Sequence, residues 1–219
     1  MLNKMIDHTL LKPTATEADI LALCEEAKLY DFMSVCVNPS HVALAKKALE
    51  GSTVLVCTVI GFPLGANTTD TKVQEAIEAI DHGADELDMV INIGKAKAHD
   101  YRYIAYEIAE LVAVAEGRTV KVILETCFLT DEEKVAVCQA ASQAGATFVK
   151  TSTGFGSGGA TFHDVDLMKA SILSYMQVKA SGGVRTYEDA MAYIAHGVTR
   201  IGTSGGVALM NHEQSKGGY

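Results

Sequence analysis

The sequence predicts an α/β fold, a closed (β/α)8 barrel. Eight short apolar segments with strand character alternate with helical segments along the 219 residues, they are evenly spaced, and no long insertion separates them. An open doubly wound sheet is the alternative for such alternation, but the count of eight favours the closed barrel. We expect a single domain over residues 1–219, with a flexible C-terminal tail at about 212–219.

The strands are predicted from short apolar runs that end at turn residues. The clearest is T-V-L-V-C-T-V-I at residues 53–60, which is almost continuously apolar and β-branched. Such a run is typical of a strand that is covered on both faces. The predicted strands are residues 6–9, 32–37, 53–60, 86–92, 119–126, 148–152, 177–181 and 200–203.

The helices are predicted from capping signals as well as from their apolar spacing. Thr16 and Thr186 are candidate N-caps, and Gly83, Gly145 and Gly197 follow helical segments as candidate C-caps. After the Asn-Pro-Ser turn at 38–40, a helix is expected to reach residue 49. The other predicted helices are residues 17–30, 71–82, 95 to about 116, 130–144, 165–175 and 187–196, with a last helix before the tail.

Composition excludes several classes of protein. The chain is 48% hydrophobic, which is enough for a sizeable core, and its net charge of -9 argues against a nucleic-acid or anionic-membrane partner. No leader-like segment and no run of eighteen uncharged apolar residues is found. The five cysteines are odd in number and lack C-x-x-C spacing, which suits free thiols in a reducing compartment. We therefore predict a cytoplasmic protein.

Two lysines lie in apolar strands that run into loops of small residues. Lys150 lies in F-V-K-T-S-T-G and Lys179 in Q-V-K-A-S-G-G. Burial and a neighbouring positive charge both favour the neutral amine of a lysine, which can then attack a carbonyl and form a Schiff base. A single strand lysine more often extends its amine to solvent, but two at equivalent positions favour chemistry. The residues alone leave open which of the two reacts.

Polar residues late in the predicted strands form a candidate site, because barrel enzymes carry their active site at the carboxyl ends of the strands. Side chains alternate across a strand, so Lys150 and Ser152 share one face. The late polar residues are Asp7, Asp88, Asn92, Glu125, Lys150, Ser152, Lys179 and Ser204.

Two glycine-rich loops follow the seventh and eighth strands, the positions where barrel enzymes often bind phosphate. Backbone N–H groups and a helix N-terminus can hold a phosphate there without a positive net charge. Tight turns alone would also explain the glycines, but their occurrence in both loops favours phosphate. The candidate phosphate-binding residues are Gly182, Gly183, Arg185, Gly202, Ser204 and Gly205.

Three other patterns are interpreted as unrelated to cofactor or metal binding. Residues 154–159 match G-x-G-x-x-G, but no carboxylate follows about twenty residues on to hold a ribose, so we interpret them as a mobile active-site loop. The seven histidines form no H-x-H or H-E-x-x-H arrangement. A reactive thiol is the alternative for Cys36, which lies near the end of the second strand, but a packed thiol is the commoner case and is our interpretation. No metal and no cofactor is predicted.

An ordered set of motifs resembles the deoxyribose-phosphate aldolase family and spans nearly the whole chain. The motifs are D-H-T-L-L-K-P (7–13), E-L-D-M-V-I-N (86–92), K-V-I-L-E-T (121–126), F-V-K-T-S-T-G (148–154), K-A-S-G-G-V-R-T (179–186), R-I-G-T-S-G-G (200–206) and the closing K-G-G-Y. The resemblance implies a metal-independent class I aldolase with a TIM barrel fold. Such an enzyme reversibly cleaves 2-deoxy-D-ribose 5-phosphate to D-glyceraldehyde 3-phosphate and acetaldehyde in deoxynucleoside catabolism.

The resemblance also implies roles for individual residues. It assigns Lys150 as the Schiff-base lysine, Lys179 as the charge that depresses the amine's pKa and as a proton donor or acceptor, and Asp88 as a proton-transfer group. Tyr219 is expected to assist proton transfer, and Asp7 is taken as a supporting residue. Phe155 departs from some members, which have a lysine close to the phosphate at this position.

Alternatives to this assignment stay open at the level of sequence. A transaldolase-like or other Schiff-base barrel enzyme would keep one strand lysine but would not need Lys179. A non-catalytic barrel that binds sugar phosphates would need only the glycine loops. The expected partners are a sugar phosphate and acetaldehyde, and the oligomeric state stays open, a homodimer or a higher homo-oligomer included.

Overall fold

Eight parallel strands close into a barrel in the computed structural model, which describes residues 2–215. The strands follow one another in chain order around the barrel, and β8 pairs with β1 to close it. The predicted (β/α)8 barrel is therefore confirmed. The strands are β1 Ile6–Leu10, β2 Ser34–Val37, β3 Leu55–Ile60, β4 Glu86–Val90, β5 Thr119–Ile123, β6 Phe148–Lys150, β7 Gln177–Ser181 and β8 Arg200–Thr203.

Helices cover the outside of the barrel, and several begin at the predicted caps. Thr16 and Thr186 each form a capping box. The threonine hydroxyl accepts from the backbone N–H of an aspartate in the first helical turn, and the carboxylate of that aspartate accepts from the backbone N–H of the threonine. The helices are α1 Glu17–Leu29, α2 Val42–Ala48, α3 Thr69–Asp81, α4 Ile93–Lys97, α5 Tyr101–Val114, α6 Asp131–Gln143, α7 Phe162–Ser171, α8 Tyr187–Ala195 and α9 Gly206–Met210. Short 3-10 turns span Leu2–Met5, Pro39–His41 and Thr126–Phe128.

Two helix predictions are wrong. The helix expected from 95 to about 116 is divided into α4 and α5, because His99 adopts a left-handed φ of 57° and Asp100 then caps α5 by accepting from the Tyr103 backbone. The helix expected at 165–175 begins earlier, at Phe162, because the Thr161 side chain accepts from the backbone N–H of Asp164.

The strands separate an apolar layer from a charged interior. Side chains between the strands and the helices form the main hydrophobic core, which includes Ile6, Val56 and Val178. Charged residues of β1, β4, β5, β6, β7 and β8 are also buried, and the strand register places Lys150 beside Lys179 and Asp88 beside Lys121. Within residues 2–215, no helix has the length and apolar character needed to cross a membrane.

Candidate active site

Lys150 and Lys179 share one oxygen of Asp88. The two lysines are register partners on β6 and β7, and the Nζ atom of each lies 2.8 Å from Oδ2 of Asp88 on β4. All three side chains are buried, with relative exposures of 3% for Lys150 and 0% for the other two. The structure therefore brings together three of the residues that the sequence predicted for the site.

Asp7 lies behind this trio and binds Lys179 from the other side. Its Oδ2 atom accepts a short hydrogen bond from Lys179, and its Oδ1 atom lies 2.7 Å from Nε of Arg200 and from Oγ of Ser34. Burial alone would raise the pKa of Asp7, but the charges of Lys179 and Arg200 outweigh it and hold that pKa below its usual range. Asp7 is thus an ionised carboxylate that holds Lys179 in place.

Three buried charged residues of this cluster were missed by the sequence reasoning. Lys121 on β5 donates to Asp88 Oδ1 at 2.7 Å and to Glu86 Oε2 at 2.7 Å, and Arg200 binds both Glu86 and Asp7. Glu86 and Arg200 are the first residues of β4 and β8, and Lys121 is the third of the five residues of β5, whereas the prediction considered polar residues late in the strands. Their signal was present, since a charged residue early in an otherwise apolar barrel strand can face the interior.

The buried cluster holds one base more than it holds acids. Over residues 2–215, it contains the bases Lys121, Lys150, Lys179 and Arg200 and the acids Asp7, Glu86 and Asp88. Lys150 has one acidic partner within ion-pair distance, while each of the other bases has at least two. Lys150 is therefore the least strongly paired base of the cluster.

The neighbouring charges keep Asp88 and Lys179 ionised. Burial alone would raise the pKa of Asp88, but Lys121, Lys150 and Lys179 outweigh it and hold that pKa well below its usual range. Burial alone would lower the pKa of Lys179, yet the carboxylates of Asp7 and Asp88 raise it above the usual value for lysine. Near neutral pH, a fixed ammonium at Lys179 therefore lies beside the Lys150 amine.

The other late polar residues have diverse surroundings. Glu125 follows β5 in a left-handed conformation, with φ 54°, and accepts from the backbone and the hydroxyl of Thr153; burial raises its pKa. The Oγ atom of Ser152 is buried and has no hydrogen-bond partner among residues 2–215. Asn92 is not part of the charged cluster, because its side chain caps α4 by accepting from the Lys95 backbone at 3.1 Å.

The two glycine loops lie after β7 and β8, as predicted from sequence. Gly182 and Gly183 adopt left-handed φ values of 78° and 90°, which favour glycine over other residues. The backbone N–H of Arg185 donates to Asp189 Oδ2 at 3.2 Å, and that of Gly205 donates to Thr203 Oγ1 at 3.0 Å. Both of these backbone N–H groups therefore already have acceptors within the protein.

Residues that follow α9 pack onto the same loops. The backbone N–H of Ser215 donates to the carbonyl of Arg185 at 2.9 Å, and its side chain lies so close to Gly205 that a larger residue there would collide with it. The chain thus crosses the β7 and β8 loops as it leaves the barrel. Tyr219, the proposed proton shuttle, lies outside the described residues.

Aromatic residues lie near this end of the barrel. Phe155, in the loop after β6, packs edge-on against Phe62, with ring centroids 5.3 Å apart, and is 42% exposed.

Cys36 is fully buried, as predicted, in a small apolar cluster with Leu11, Cys57 and Val59. This second cluster is separate from the main hydrophobic core.

Comparison with known proteins identifies the family. A family model described as DeoC/LacD family aldolase matches residues 1–213. This chain is 59% identical to the deoxyribose-phosphate aldolase of Streptococcus sanguinis (strain SK36) and 57% identical to that of Macrococcus caseolyticus (strain JCSC5402). Each alignment spans 218 residues, which is 100% of this chain and 99% of the relative. The solved tetrameric deoxyribose phosphate aldolase from Aeropyrum pernix superposes with a TM-score of 0.90 at 35% identity, covering 96% of this chain and 89% of that one. The chain belongs to the DeoC/LacD family of aldolases.

Proposed function

We propose that this chain is a class I aldolase that reversibly cleaves 2-deoxy-D-ribose 5-phosphate to D-glyceraldehyde 3-phosphate and acetaldehyde through an imine on Lys150. One observation carries the proposal: the amines of Lys150 and Lys179 lie 2.8 Å from the same oxygen of Asp88. The family and the names of its relatives support the substrate.

The charge balance supports Lys150 as the nucleophile. A buried cluster with one base in excess is least costly when one base is neutral, because an unpaired buried charge is strongly disfavoured. Lys150 has the fewest acidic partners, and its neighbour Lys179 is held as an ammonium. A neutral amine at Lys150 can attack the C1 aldehyde of the open-chain sugar.

The neighbours of Lys150 can carry the protons of imine formation. Attack gives a carbinolamine, which must lose its hydroxyl as water. The Lys179 ammonium is a donor for that hydroxyl, and the ionised Asp88 carboxylate can accept a proton from nitrogen, directly or through water. The products of this step are a protonated imine and one water molecule.

The imine then serves as the electron acceptor for carbon–carbon cleavage. Removal of the C3 hydroxyl proton breaks the C2–C3 bond, releases D-glyceraldehyde 3-phosphate and leaves a two-carbon enamine on Lys150. Protonation of its terminal carbon and hydrolysis release acetaldehyde and the free amine. Tyr219 is proposed to assist the protonation. The buried Ser152 hydroxyl, which has no hydrogen-bond partner among residues 2–215, is proposed as a contact for a sugar hydroxyl.

The loops after β7 and β8 are proposed to bind the phosphate. Gly182 and Gly183 offer backbone groups, Ser204 offers a hydroxyl, and Arg185 offers an exposed guanidinium. Phe155 is apolar where some members of the family have a lysine, so the phosphate affinity must come from these loops. Arginine is well suited to this task because its guanidinium can bind phosphate in a bidentate manner.

Two measurements test the proposed reaction. Acetaldehyde release from deoxyribose 5-phosphate should proceed in the presence of a chelator, since a Schiff base needs no metal. Borohydride reduction with acetaldehyde should add a two-carbon label to the peptide that contains Lys150. A label on the Lys179 peptide alone would reverse the two roles, and activity that a chelator removes and zinc restores would contradict the mechanism.

We also propose a cytoplasmic homo-oligomer. The buried free thiols of Cys24, Cys36, Cys57 and Cys138 suit a reducing compartment, and the relative from Aeropyrum pernix is described as tetrameric. Light scattering of the purified chain tests the assembly, and a mass equal to one chain would contradict it. Cell fractionation tests the compartment.

A further inference from the structure

Two cysteines of neighbouring strands meet the Asp88 carboxylate inside the barrel. Cys36 on β2 and Cys57 on β3 are register partners, and both are fully buried. Their sulfur atoms and a carboxylate oxygen of Asp88 all lie within 4.8 Å of one another, and Sγ of Cys57 is 3.1 Å from Oδ1 of Asp88. The proposed reaction uses neither cysteine.

The spacing of these three donor atoms suits a tetrahedral metal ion. With a zinc–sulfur bond of about 2.3 Å, two tetrahedral ligand atoms lie roughly 3.8 Å apart. The observed separations therefore require shifts of only about 1 Å or less. Two thiolates and a carboxylate also leave the fourth position open for water, as zinc sites with three protein ligands do.

A cation already contacts this donor set. The ammonium of Lys121 lies 3.3 Å from Sγ of Cys57 and 2.7 Å from Oδ1 of Asp88. Lys121 also lies 2.7 Å from Glu86, so its charge would keep one carboxylate partner if a metal ion took its place. The donors thus face a position that can hold positive charge.

Charge conservation selects a thiophilic ion. When a divalent ion displaces the protons of two thiols, two positive charges enter and two leave, so the net charge of the buried cluster does not change. A hard ion such as Mg²⁺ would bind Asp88 without displacing those protons and would add two charges beside Lys121, Lys150 and Lys179. Soft thiolate ligands therefore favour Zn²⁺ or Cd²⁺.

From this geometry we propose that Cys36, Cys57 and Asp88 form an inhibitory site for thiophilic divalent ions. The bound ion takes Oδ1 of Asp88 from Lys121 and neutralises the carboxylate whose Oδ2 atom Lys150 and Lys179 share, so Asp88 no longer accepts a proton. Imine formation stops while the ion is bound. The proposal goes beyond the aldolase reaction, which requires no ion.

The small apolar cluster that contains the two cysteines packs against a partly exposed residue. Leu11, Cys36, Cys57 and Val59 form this cluster, and Phe62, which packs against it, is partly exposed. Phe62 contacts Phe155 in the loop after β6. An ion that passes these two rings would meet the cysteines beside the reacting lysines.

Cadmium titration of the full chain tests the site without using the aldolase reaction. We expect one Cd²⁺ per chain, two protons released per ion, and the ultraviolet charge-transfer absorption of cadmium thiolates. Aldolase activity should fall in parallel with this absorption and return with EDTA, whereas Mg²⁺ at the same concentration should have no effect.

Three single substitutions locate the ion. Cys36→Ser and Cys57→Ser should each lose most of the cadmium-thiolate absorption. Each should also make aldolase activity at least tenfold less sensitive to Cd²⁺. Either variant is a sufficient test if the other does not fold. The matched control is Cys127→Ser, which removes an exposed thiol close to Gly156 and Gly158 and should leave both readouts unchanged. Absorption that survives in Cys57→Ser, or that disappears in Cys127→Ser, would overturn the proposal.

Discussion

Replacing Asp88 with asparagine tests the shared carboxylate most directly. Oδ2 of Asp88 accepts from Lys150 and Lys179, each at 2.8 Å, and Oδ1 accepts from Lys121 at 2.7 Å. Asparagine keeps only one oxygen and presents an NH₂ group in place of the other. In either orientation, at least one buried ammonium loses its acceptor and faces a donor.

The size of the effect follows from these contacts. Removing one partner of a buried ion pair costs about 3–5 kcal/mol, because the other charge is left without compensation. We expect that loss in the free energy of unfolding. A positioned acid–base group contributes about 10²–10⁴-fold to rate, so turnover should fall by at least 10²-fold, which is about 2.7 kcal/mol on the barrier.

A second buried acid provides the matched control. Glu107 on α5 lies 2.7 Å from the amine of Lys72 on α3, and both side chains are almost completely buried. Glu107 is not part of the charged cluster inside the barrel. Glu107→Gln should therefore destabilise the protein, but its turnover per folded molecule should stay near that of the unaltered chain.

The assay separates folding from chemistry. Urea denaturation gives the free energy of unfolding of each variant, and acetaldehyde release at saturating substrate gives turnover under conditions where the variant is folded. Borohydride trapping on Lys150 should also slow in Asp88→Asn. If Asp88→Asn stays folded and turns over as fast as Glu107→Gln, the carboxylate is structural and our reasoning about proton transfer is wrong.

Three further predictions concern stability, phosphate binding and the C-terminus. The pKa values of Asp7 and Asp88 are lowered in the folded protein. Their ionised forms therefore stabilise the fold above the ordinary carboxyl pKa of about 4, and this stabilisation is lost as the pH falls below that value. Urea titrations at several pH values should show the decline in the free energy of unfolding, and a flat profile would contradict it. Ser204→Asp should raise KM for deoxyribose 5-phosphate far more than for deoxyribose, and equal effects would exclude a phosphate contact. Tyr219→Phe should leave imine trapping intact but slow both turnover and deuterium exchange at the methyl group of acetaldehyde; unchanged exchange would remove Tyr219 from the mechanism.

Sequence patterns predicted the barrel because each of its elements carries local signals. The caps at Thr16 and Thr186 are found in the structure, and β8 has the predicted bounds. The division between α4 and α5 was missed, because a left-handed histidine at position 99 breaks the helix and apolar spacing does not reveal it. Backbone conformation at single residues depends on packing that a sequence does not display.

The site was predicted in part for a related reason. Lys150, Lys179 and Asp88 come together because they lie on strands whose carboxyl ends meet at one end of the barrel. Lys121 and Arg200 were missed because they lie in the middle and at the beginning of their strands, where barrel interiors are usually apolar. Their partners come from distant parts of the chain, so only the closed register reveals the cluster.

The same cluster explains why sequence reasoning left the two lysines unranked. Each lies in an apolar strand that ends in a loop of small residues, so their local patterns are alike. The difference between them is the number of acidic partners: Lys179 binds Asp7 as well as Asp88, whereas Lys150 has Asp88 alone. The carboxylates of Asp7 and Asp88 raise the pKa of Lys179 above the usual value for lysine, so Lys179 is held as an ammonium. The position of Asp7 on β1, 172 residues from Lys179 in sequence, therefore distinguishes the two lysines and supports the proposal that Lys150 is the nucleophile.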